Sequence, residues 1–325
     1  MSGTQSSQSA RPLRIGTRAS ALALWQARHV ANLIRALPGA PPVDLVAITT
    51  TGDVRTDVPL WAVRGRAFFT KEIDRALLEN RIDIAVHSLK DLPTAMESGL
   101  ALAAVLPRED PRDALVSRTG KRLSQLPPAA RIGTSSLRRR AFLTRARGDL
   151  TLLELRGNVP TRLERLERCD YDAIVLAAAG LKRLGLGHRV TQHLSAEEFP
   201  PAVSQGAIGV CARADDPYSC GWLQPLDELQ TRLATTAERA LLEHIEGGCQ
   251  VPLGALAAVT GNTIQMHAAV CALDGSQLLT ASGNGDATGA GAAALGVRLA
   301  TELLAQGAAS LMAAERALQG RVEAP

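Results

Sequence analysis

The sequence predicts an α/β protein with two similar lobes around a cleft, followed by a smaller α+β domain. Strand-like and helix-like patterns alternate through the first two thirds of the chain, which indicates parallel strands joined by crossover helices. The tetrapeptide Arg-Ile-Gly-Thr occurs at 14–17 and again at 131–134, each time leading from a strand into a helix with a serine-rich first turn. After about Gly221 the alternation gives way to a different pattern.

Each lobe is predicted to run from a strand into a helix, a second strand, a second helix and a third strand. In the first lobe the strands are 13–17, 43–49 and 82–88, and the helices are 20–37 and 69–80. The strands 43–49 and 82–88 have the continuous apolar pattern of buried parallel strands. In the second lobe, 131–140 is a strand followed by the start of a helix, and 150–157 is a second strand. A helix with proline in its first turn then spans 160–168. A further strand, 171–180, runs into a loop.

The last third of the chain predicts a small α+β domain. Its elements are a helix at 236–248, short strands at 256–259, 264–273 and 277–281, and a closing helix through Leu304. Asp274-Gly275 between the last two strands is a hairpin signal.

Composition narrows the class of protein. The chain has 325 residues, of which 46% are hydrophobic, enough for two or three domains. Residues 1–12 are polar and contain no apolar run of signal-peptide length, so we expect them to form a disordered tail outside the fold. No segment reaches the roughly 18–20 apolar residues of a membrane helix, so we expect a cytoplasmic protein. The five cysteines form no C-x-x-C pair and the six histidines are scattered, so we predict no metal site.

The basic residues are concentrated in one region. The formal net charge is +4, and only four of the 36 basic residues are lysines. Between Arg131 and Arg168 there are ten arginines and four acidic residues. This can be a solvated basic face produced by codon bias, or an anion site, since arginine holds carboxylates and phosphates in two-pronged geometry. The residues alone leave both explanations open for any one arginine.

Polar residues at predicted strand ends favour an anion site, because ligands collect there in open α/β sheets. Hydroxyls and free N–H groups at the helix start 133–140, backed by arginines, suit an anion. The candidates are Arg18, Ser20, Arg138, Arg139, Arg156 and Arg162. Nucleic acid fits less well, because base stacking needs interleaved aromatics and the basic stretch contains only Phe142. A small or oligomeric polyanion fits better.

Three further residues are ambiguous on the residues alone. Asp91 follows the strand 82–88 and could be a catalytic acid or could stabilise a cation, but a turn ahead of Leu-Pro explains it more simply. Asp53, in the sequence TTGD, has the same ambiguity, with a turn again as the default. Cys249, in GGCQVPLG, is as a pattern more typical of a buried small residue in a turn than of a reactive thiol.

Taken in order, the motifs resemble those of the porphobilinogen deaminase family from Leu13 to about Leu304. They are RIGTRAS with LALWQA, TTGD, DIAVHSLKD, REDPRDALVS, GTSSLRRR, LRGNVPTRL, DAIVLAAAGLKRLGL, QGAIGV and EGGCQVPLG. The resemblance implies an enzyme that joins four porphobilinogen molecules head to tail into linear hydroxymethylbilane, releasing ammonia at each step. It also implies a dipyrromethane primer attached to Cys249 through a thioether.

The resemblance also assigns site residues. Asp91 matches the catalytic aspartate, which overturns the turn explanation. The residues expected to bind cofactor or substrate are Arg18, Ser20, Asp53, Phe69, Ser88, Lys90, Thr134, Ser136, Arg138, Arg139, Arg156, Arg162, Arg183 and Gln205. No metal is implied, and we expect a monomer that binds neither nucleic acid nor membrane.

The resemblance implies a fold of two type II periplasmic-binding-protein-like lobes and an α+β domain with a three-stranded antiparallel sheet. We expect a first lobe of 13–106 and 206–224, a second lobe of 107–205 and a C-terminal domain of 225–325. The segment 54–68 corresponds to a flap that is bulkier here than is usual, with Trp61, Ala62 and Arg64. Ser204 replaces a usual glycine, with little consequence expected.

Two other functions remain open on the sequence. A non-catalytic bilobal receptor would explain the arginines but not Cys249, and it would normally carry a signal peptide. A nucleic-acid binder is disfavoured by the scarcity of aromatic residues.

Overall fold

The computed structural model describes residues 11–54, 70–245 and 252–312, with the side chains at 53 and 54 left out. In these ranges the chain forms two five-stranded sheets and one three-stranded sheet.

The first sheet belongs to the first lobe. Its strands are β1 (Leu13–Thr17), β2 (Val43–Ala47), β3 (Ile84–Ser88), β4 (Leu100–Val105) and β10 (Ile208–Arg213). Their order is β2-β1-β3-β10-β4. β1 is parallel to β2 and β3, whereas β10 is antiparallel to both β3 and β4. The helices of this lobe are α1 (Ala21–Arg35), α2 (Thr51–Val54), α3 (Lys71–Leu78) and α7 (Pro217–Leu223).

Local sequence accounts for most of these elements. Ser20 caps α1 by accepting a hydrogen bond from the Ala23 N–H, and Val30 and Ile34 on its inner face are fully buried against the sheet. The prediction that 43–49 is a buried strand was wrong in one respect. β2 lies at the edge of the sheet and Asp44 and Leu45 are exposed, because an edge strand has a neighbouring strand on one side only.

The second sheet repeats the first. Its strands are β5 (Asp113–Ser117), β6 (Arg131–Gly133), β7 (Thr151–Leu153), β8 (Ala173–Ala177) and β9 (Gln192–His193), in the order β7-β6-β8-β5-β9. β6 is parallel to β7 and β8, and β5 is antiparallel to β8 and β9. Its helices are α4 (Leu137–Ala146), α5 (Val159–Glu167) and α6 (Ala178–Arg183). Residues 178–180, predicted as the end of a strand that runs into a loop, are instead the first turn of α6, because the Ala-rich run after β8 is buried against the sheet.

The repeated tetrapeptide marks equivalent strands, since β1 and β6 hold the same place in the two sheet orders. The chain passes from the first lobe to the second through 106–112, the first crossover, and returns through 194–207, the second crossover. Each sheet contains one antiparallel strand that directly follows a crossover, β5 after the first and β10 after the second. The periodicity of the sequence identified neither strand. The two crossover segments contact each other, with the Glu109 N–H donating to the Gly206 carbonyl at 3.1 Å.

The third domain packs two helices on one antiparallel sheet. It consists of α8 (Leu229–His244), β11 (Leu253–Thr260), β12 (Thr263–Cys271), β13 (Leu278–Asp286) and α9 (Gly289–Ala305). α8 and α9 bury one face of the sheet, while Ala269 and Cys271 join the core of the second lobe beside Phe142. The predicted fold class is therefore confirmed. None of the described helices combines the length and apolarity needed to span a bilayer.

Glu238 of α8 connects the third domain to both crossovers. Its fully buried carboxylate accepts hydrogen bonds from the Arg108 guanidinium at 2.6 and 3.2 Å, from the Ser204 N–H at 2.6 Å and from the Ala257 N–H at 2.8 Å. The third domain thus meets the two crossover segments at one buried ion pair.

Candidate active site

The carboxyl ends of the parallel strands in both lobes lead to the predicted site residues. β3 ends at Ser88 and continues into a 3-10 turn, Leu89–Asp91. The Leu89 side chain is buried and fixes this turn to the lobe core. On the far side of the turn, Arg239 of α8 donates hydrogen bonds to the carbonyls of Leu92, Pro93 and Thr94 at 3.3, 2.6 and 3.1 Å. Asp91 is therefore carried on a short segment held at both ends.

Lys90 of the same turn reaches toward the second lobe. Its ammonium donates to the Gln205 side-chain carbonyl at 3.2 Å. Burial of the ammonium, together with the nearby Arg139 and Arg138 guanidinium groups, lowers the pKa of Lys90 to about 8, although Asp91 and Asp113 act against the shift. Lys90 is thus a cation that titrates close to neutral pH.

Arg138 and Arg139, in the first turn of α4, are paired with Asp113 in the interior. One Asp113 oxygen accepts from Arg138 Nη2 at 2.7 Å, and the other accepts from Arg139 Nε and Nη2 at 3.1 and 2.8 Å. The side chains of Arg138, Arg139 and Asp113 are only 4%, 8% and 1% exposed. The two arginines are brought to the predicted site, but in this conformation their charges are shared with a buried carboxylate.

Arg162 lies among further cations. Its Nε donates to the Gly157 carbonyl at 2.7 Å. Burial and the neighbouring charges of Arg139 and Arg156 lower the pKa of Arg162 to about 10, and the negative charges of Glu154 and Asp91 oppose that shift. Arg162 of the second lobe therefore lies within electrostatic range of two carboxylates, Glu154 in its own lobe and Asp91 in the first lobe.

The predicted hydroxyls are engaged with backbone or side-chain groups. Ser20 and Ser136 are N-cap residues that accept from the N–H groups of Ala23 and Arg139, each at 3.4 Å. Thr134 Oγ1 accepts from the Ser136 N–H at 3.3 Å. Ser88 Oγ accepts from the Gln26 amide at 2.9 Å. In each of these bonds the hydroxyl oxygen is the acceptor. The bonds therefore orient the hydroxyl groups and leave each O–H able to donate a hydrogen bond to a ligand.

Arg183 and Arg18 lie nearer the junction of the lobes. Arg183 Nη2 donates to the Gly206 carbonyl at 2.6 Å, and the guanidinium lies 5.8 Å from the ring centroid of Trp25 in α1. Burial lowers the pKa of Arg183 to about 10. Arg18 follows β1 and lies close enough to His87 to help burial lower the pKa of that imidazole to about 4, so His87 is neutral at pH 7.

Three predicted residues lie outside this description: Cys249, Phe69 and the side chain of Asp53. The flap prediction for 54–68 also falls outside the described side chains. For these positions the sequence remains the only source of expectation.

Sequence reasoning missed two residues that the structure brings to the site. Asp113 is the anionic partner of Arg138 and Arg139, and Gln26 orients Ser88. Both stand inside motifs noted above, REDPRDALVS and LALWQA. A carboxylate at the start of an apolar strand was a signal for Asp113, since buried charges require partners. Gln26 offered none, because it stands on an ordinary amphipathic helix.

The arrangement suits a ligand with several carboxylates whose reaction develops positive charge. Lys90, Arg156 and Arg162 can bind anionic substituents, and Asp91 is a carboxylate near them that can stabilise a cation or carry a proton. Within the described ranges, no group of three His, Cys, Asp or Glu side chains could hold a metal ion.

Several solved structures share a distant similarity with the chain. One is the VFT2 domain of Bordetella pertussis BvgS, a double mutant, with 13% identity over 66% of this chain and 85% of that chain and a TM-score of 0.39. Another is a Salmonella typhimurium periplasmic binding protein with high arginine specificity, with 13% identity over 67% and 92% of the two chains and a TM-score of 0.37. A third is DctP7 of Bordetella pertussis, an extracytoplasmic solute receptor binding pyroglutamic acid, with 13% identity over 67% and 77% and a TM-score of 0.39.

Two family models match the sequence directly. The model described as porphobilinogen deaminase, dipyromethane cofactor binding domain, matches residues 13–220. The model described as porphobilinogen deaminase, C-terminal domain, matches residues 232–305.

Proposed function

Because this chain belongs to the porphobilinogen deaminase family, we propose that its cleft residues divide the reaction between carboxylate binding and handling of a cation. The enzyme polymerises porphobilinogen into hydroxymethylbilane with a dipyrromethane cofactor, in tetrapyrrole biosynthesis. The proposal assigns this activity to individual side chains. The observation that carries it is that Lys90, next to Asp91 in the first lobe, donates to the Gln205 side-chain carbonyl of the second lobe at 3.2 Å, while the charge of Asp91 acts on Arg162 of the second lobe.

The cations hold the substrate. Each pyrrole carries an acetate and a propionate, so a growing chain accumulates negative charge. Lys90, Arg156 and Arg162 pair with these carboxylates, with Arg18 and Arg183 at the edge of the cleft. Charge-assisted hydrogen bonds of this kind contribute about 1.5–3 kcal/mol each. Ser20, Ser88, Thr134 and Ser136 add neutral donors.

Asp91 acts on the reacting atoms. Loss of ammonia from porphobilinogen leaves a cationic azafulvene, and attack by a pyrrole carbon produces a second cation that must release a proton. A carboxylate held beside both cations stabilises each of them and can accept that proton on an Oδ atom. Its fixed turn provides the orientation, because Leu89 and Arg239 hold the backbone on either side.

The donor set also fits the carboxylates of a dipyrromethane, which Lys90, Arg138, Arg139, Arg156 and Arg162 would hold. When bound, the dipyrromethane supplies the nucleophilic pyrrole carbon from which the product chain grows. We propose Cys249 as its attachment point, because a thiolate is a strong nucleophile toward a methylene electrophile. Asp53, Phe69 and Gln205 complete the proposed binding set.

Intact mass spectrometry tests the attachment. The purified protein is expected to exceed its sequence mass by two linked pyrroles, with the increment on the peptide that contains Cys249. Cys249→Ser should remove the increment, whereas Cys169→Ser, at an exposed free thiol, should retain it. An active enzyme without the increment would refute the assignment.

Asp91→Asn tests the role of the carboxylate. We expect kcat to fall roughly a hundredfold or more, because a charge-stabilising group is lost, while substrate binding is retained. Glu97→Gln is the matched control, since Glu97 is exposed on the same loop. Near-normal turnover of Asp91→Asn would place the proton transfer on another residue.

We further propose the domain limits 13–106 with 206–224, 107–205 and 225–325, and a cytoplasmic monomer that acts without nucleic acid or membrane. The family resemblance supports this proposal. Light scattering after size-exclusion chromatography tests the monomer, for which a mass of 34.2 kDa is expected.

A further inference from the structure

Asp113 is the most completely paired acidic side chain near the cleft. Its carboxylate accepts from Arg138, from Arg139 and from Gln205 Nε2, the last at 2.9 Å. The two guanidinium groups around it pull the pKa of Asp113 far below its usual range, against the effect of burial. It is therefore ionised at any physiological pH. Both of its oxygens are occupied by these donors and its side chain is 1% exposed, so we assign it no contact with substrate.

The pairing leaves one nitrogen of the Arg138 guanidinium without a hydrogen-bond partner among the described residues. Arg138 Nη1 donates to the Pro200 carbonyl at 2.7 Å and Nη2 donates to Asp113, but the buried Nε has no hydrogen-bond partner. A buried N–H without an acceptor costs free energy. An arriving carboxylate would satisfy it.

Gln205 extends the network to the other lobe. Its amide nitrogen donates to Asp113 and to the Pro111 carbonyl, and its oxygen accepts from Lys90 of the first lobe. Asp113 therefore contacts the Arg138 and Arg139 guanidinium groups directly and is linked to the Lys90 ammonium through the Gln205 amide. Formally the four charged groups sum to +2, and without Asp113 they would sum to +3.

We propose that Asp113 is a positioning residue for the polymerisation. It serves as the countercharge of Arg138 and Arg139. It orients their guanidinium groups toward the carboxylates of the dipyrromethane and of the growing chain. Through Gln205 it orients the Lys90 ammonium toward the same carboxylates. This inference rests on the proposed function. Asp113 itself contacts no reacting atom. Its role is to keep buried cations charged and oriented while no ligand carboxylate is present, since an unpaired buried charge is costly.

A thermodynamic cycle distinguishes this role from a purely structural ion pair. Thermal unfolding is measured for the primer-bearing protein, for Cys249→Ser, for Asp113→Asn and for the double variant. If Asp113 and the primer carboxylates share the arginines, the primer should stabilise Asp113→Asn more than it stabilises the native sequence. The Tm gap between primer-bearing and primer-free forms should widen by about 4 °C or more, a change on the scale of one strong interaction.

Asp83→Asn is the matched control. Asp83 is equally buried and paired with arginines, accepting from Arg11 at 2.8 Å and from Arg14 Nε at 2.9 Å. It lies just before β3, at the end of the strand opposite the cleft. Its substitution should lower both Tm values equally and leave the gap unchanged.

If the Tm difference between primer-bearing and primer-free forms is the same for Asp113→Asn and for the native sequence, the cycle is additive and the inference is overturned. The proposed function would still be supported in that case if the mass increment is found at Cys249. A native protein without that increment would overturn both. If Asp113→Asn does not fold, Asp113→Glu takes its place, because the charge is kept and only its position changes. Because the countercharge is kept but displaced by one methylene group, Arg138 and Arg139 would no longer be aimed at the primer carboxylates; a narrowed gap in Asp113→Glu therefore supports the positioning role, and an unchanged gap contradicts it.

Discussion

The Glu238 carboxylate holds together three separate parts of the chain, so Glu238→Gln should destabilise the whole protein. The substitution keeps the shape and one oxygen, but it replaces the other oxygen with an NH2 group. That NH2 group would face donors, because the partners of Glu238 are the Arg108 guanidinium and the N–H groups of Ser204 and Ala257. Arg108 would also lose its buried countercharge.

The expected loss in the free energy of unfolding is about 3–5 kcal/mol, the usual cost of breaking a fully buried ion pair from one side. The exposures support this range: the Glu238 side chain is completely buried and the Arg108 side chain is 11% exposed. With an m-value of about 3 kcal/mol/M in urea, the unfolding midpoint should fall by roughly 1–1.7 M.

Urea unfolding followed by far-UV circular dichroism measures this shift. Glu302→Gln is the control, because Glu302 forms a half-exposed pair with Arg298 at 3.0 Å and should change stability by less than about 0.5 kcal/mol. A loss below about 1 kcal/mol for Glu238→Gln would refute the reasoning, since a buried pair would then contribute no more than an exposed one.

Three further predictions follow from single positions. Because the pKa of Lys90 is about 8, kcat/KM should fall as the pH rises through that value and the ammonium loses its proton. Lys90→Arg should abolish this decline. Ser204 has a φ of +62° and a buried hydroxyl without a partner, so Ser204→Gly should stabilise the protein by about 1 kcal/mol. A Cβ at Gly254 would lie 2.2 Å from the Pro200 carbonyl oxygen, so Gly254→Ala should lower the Tm, whereas Gly180→Ala, with ordinary contacts at 3.5 Å, should not.

Each of these has a clear contrary result. A flat pH profile between 7 and about 9 would mean that Lys90 keeps its proton or binds no carboxylate in that range. A loss of stability in Ser204→Gly would mean that the backbone strain at this position is smaller than the flexibility that glycine adds to the unfolded chain. An unchanged Tm in Gly254→Ala would mean that β11 can move away from Pro200 at little cost.

Much of the fold could be predicted from the sequence, because amphipathic periodicity and capping residues act locally. Ser20, Ser136 and Asn158 cap the helices that the pattern predicted. The exchanged strands β5 and β10 could not be predicted in this way, since their partners lie far away along the chain. The exposed edge position of β2 likewise depends on which strands pack beside it.

For the site, the residue types could be predicted from the sequence: the hydroxyls at helix starts, the arginines after strand ends and Asp91 after β3. These follow from local geometry and from motifs that resemble the family. Only the tertiary structure decided which of these charges are partnered. The sequence left open whether Arg138 and Arg139 form a solvated basic face or an anion site; the structure places Asp113, after the first crossover, between them, and the second crossover brings Gln205 within reach of Lys90. The physical reason is that a buried charge is stable only beside a partner, and the fold alone sets which partner is close.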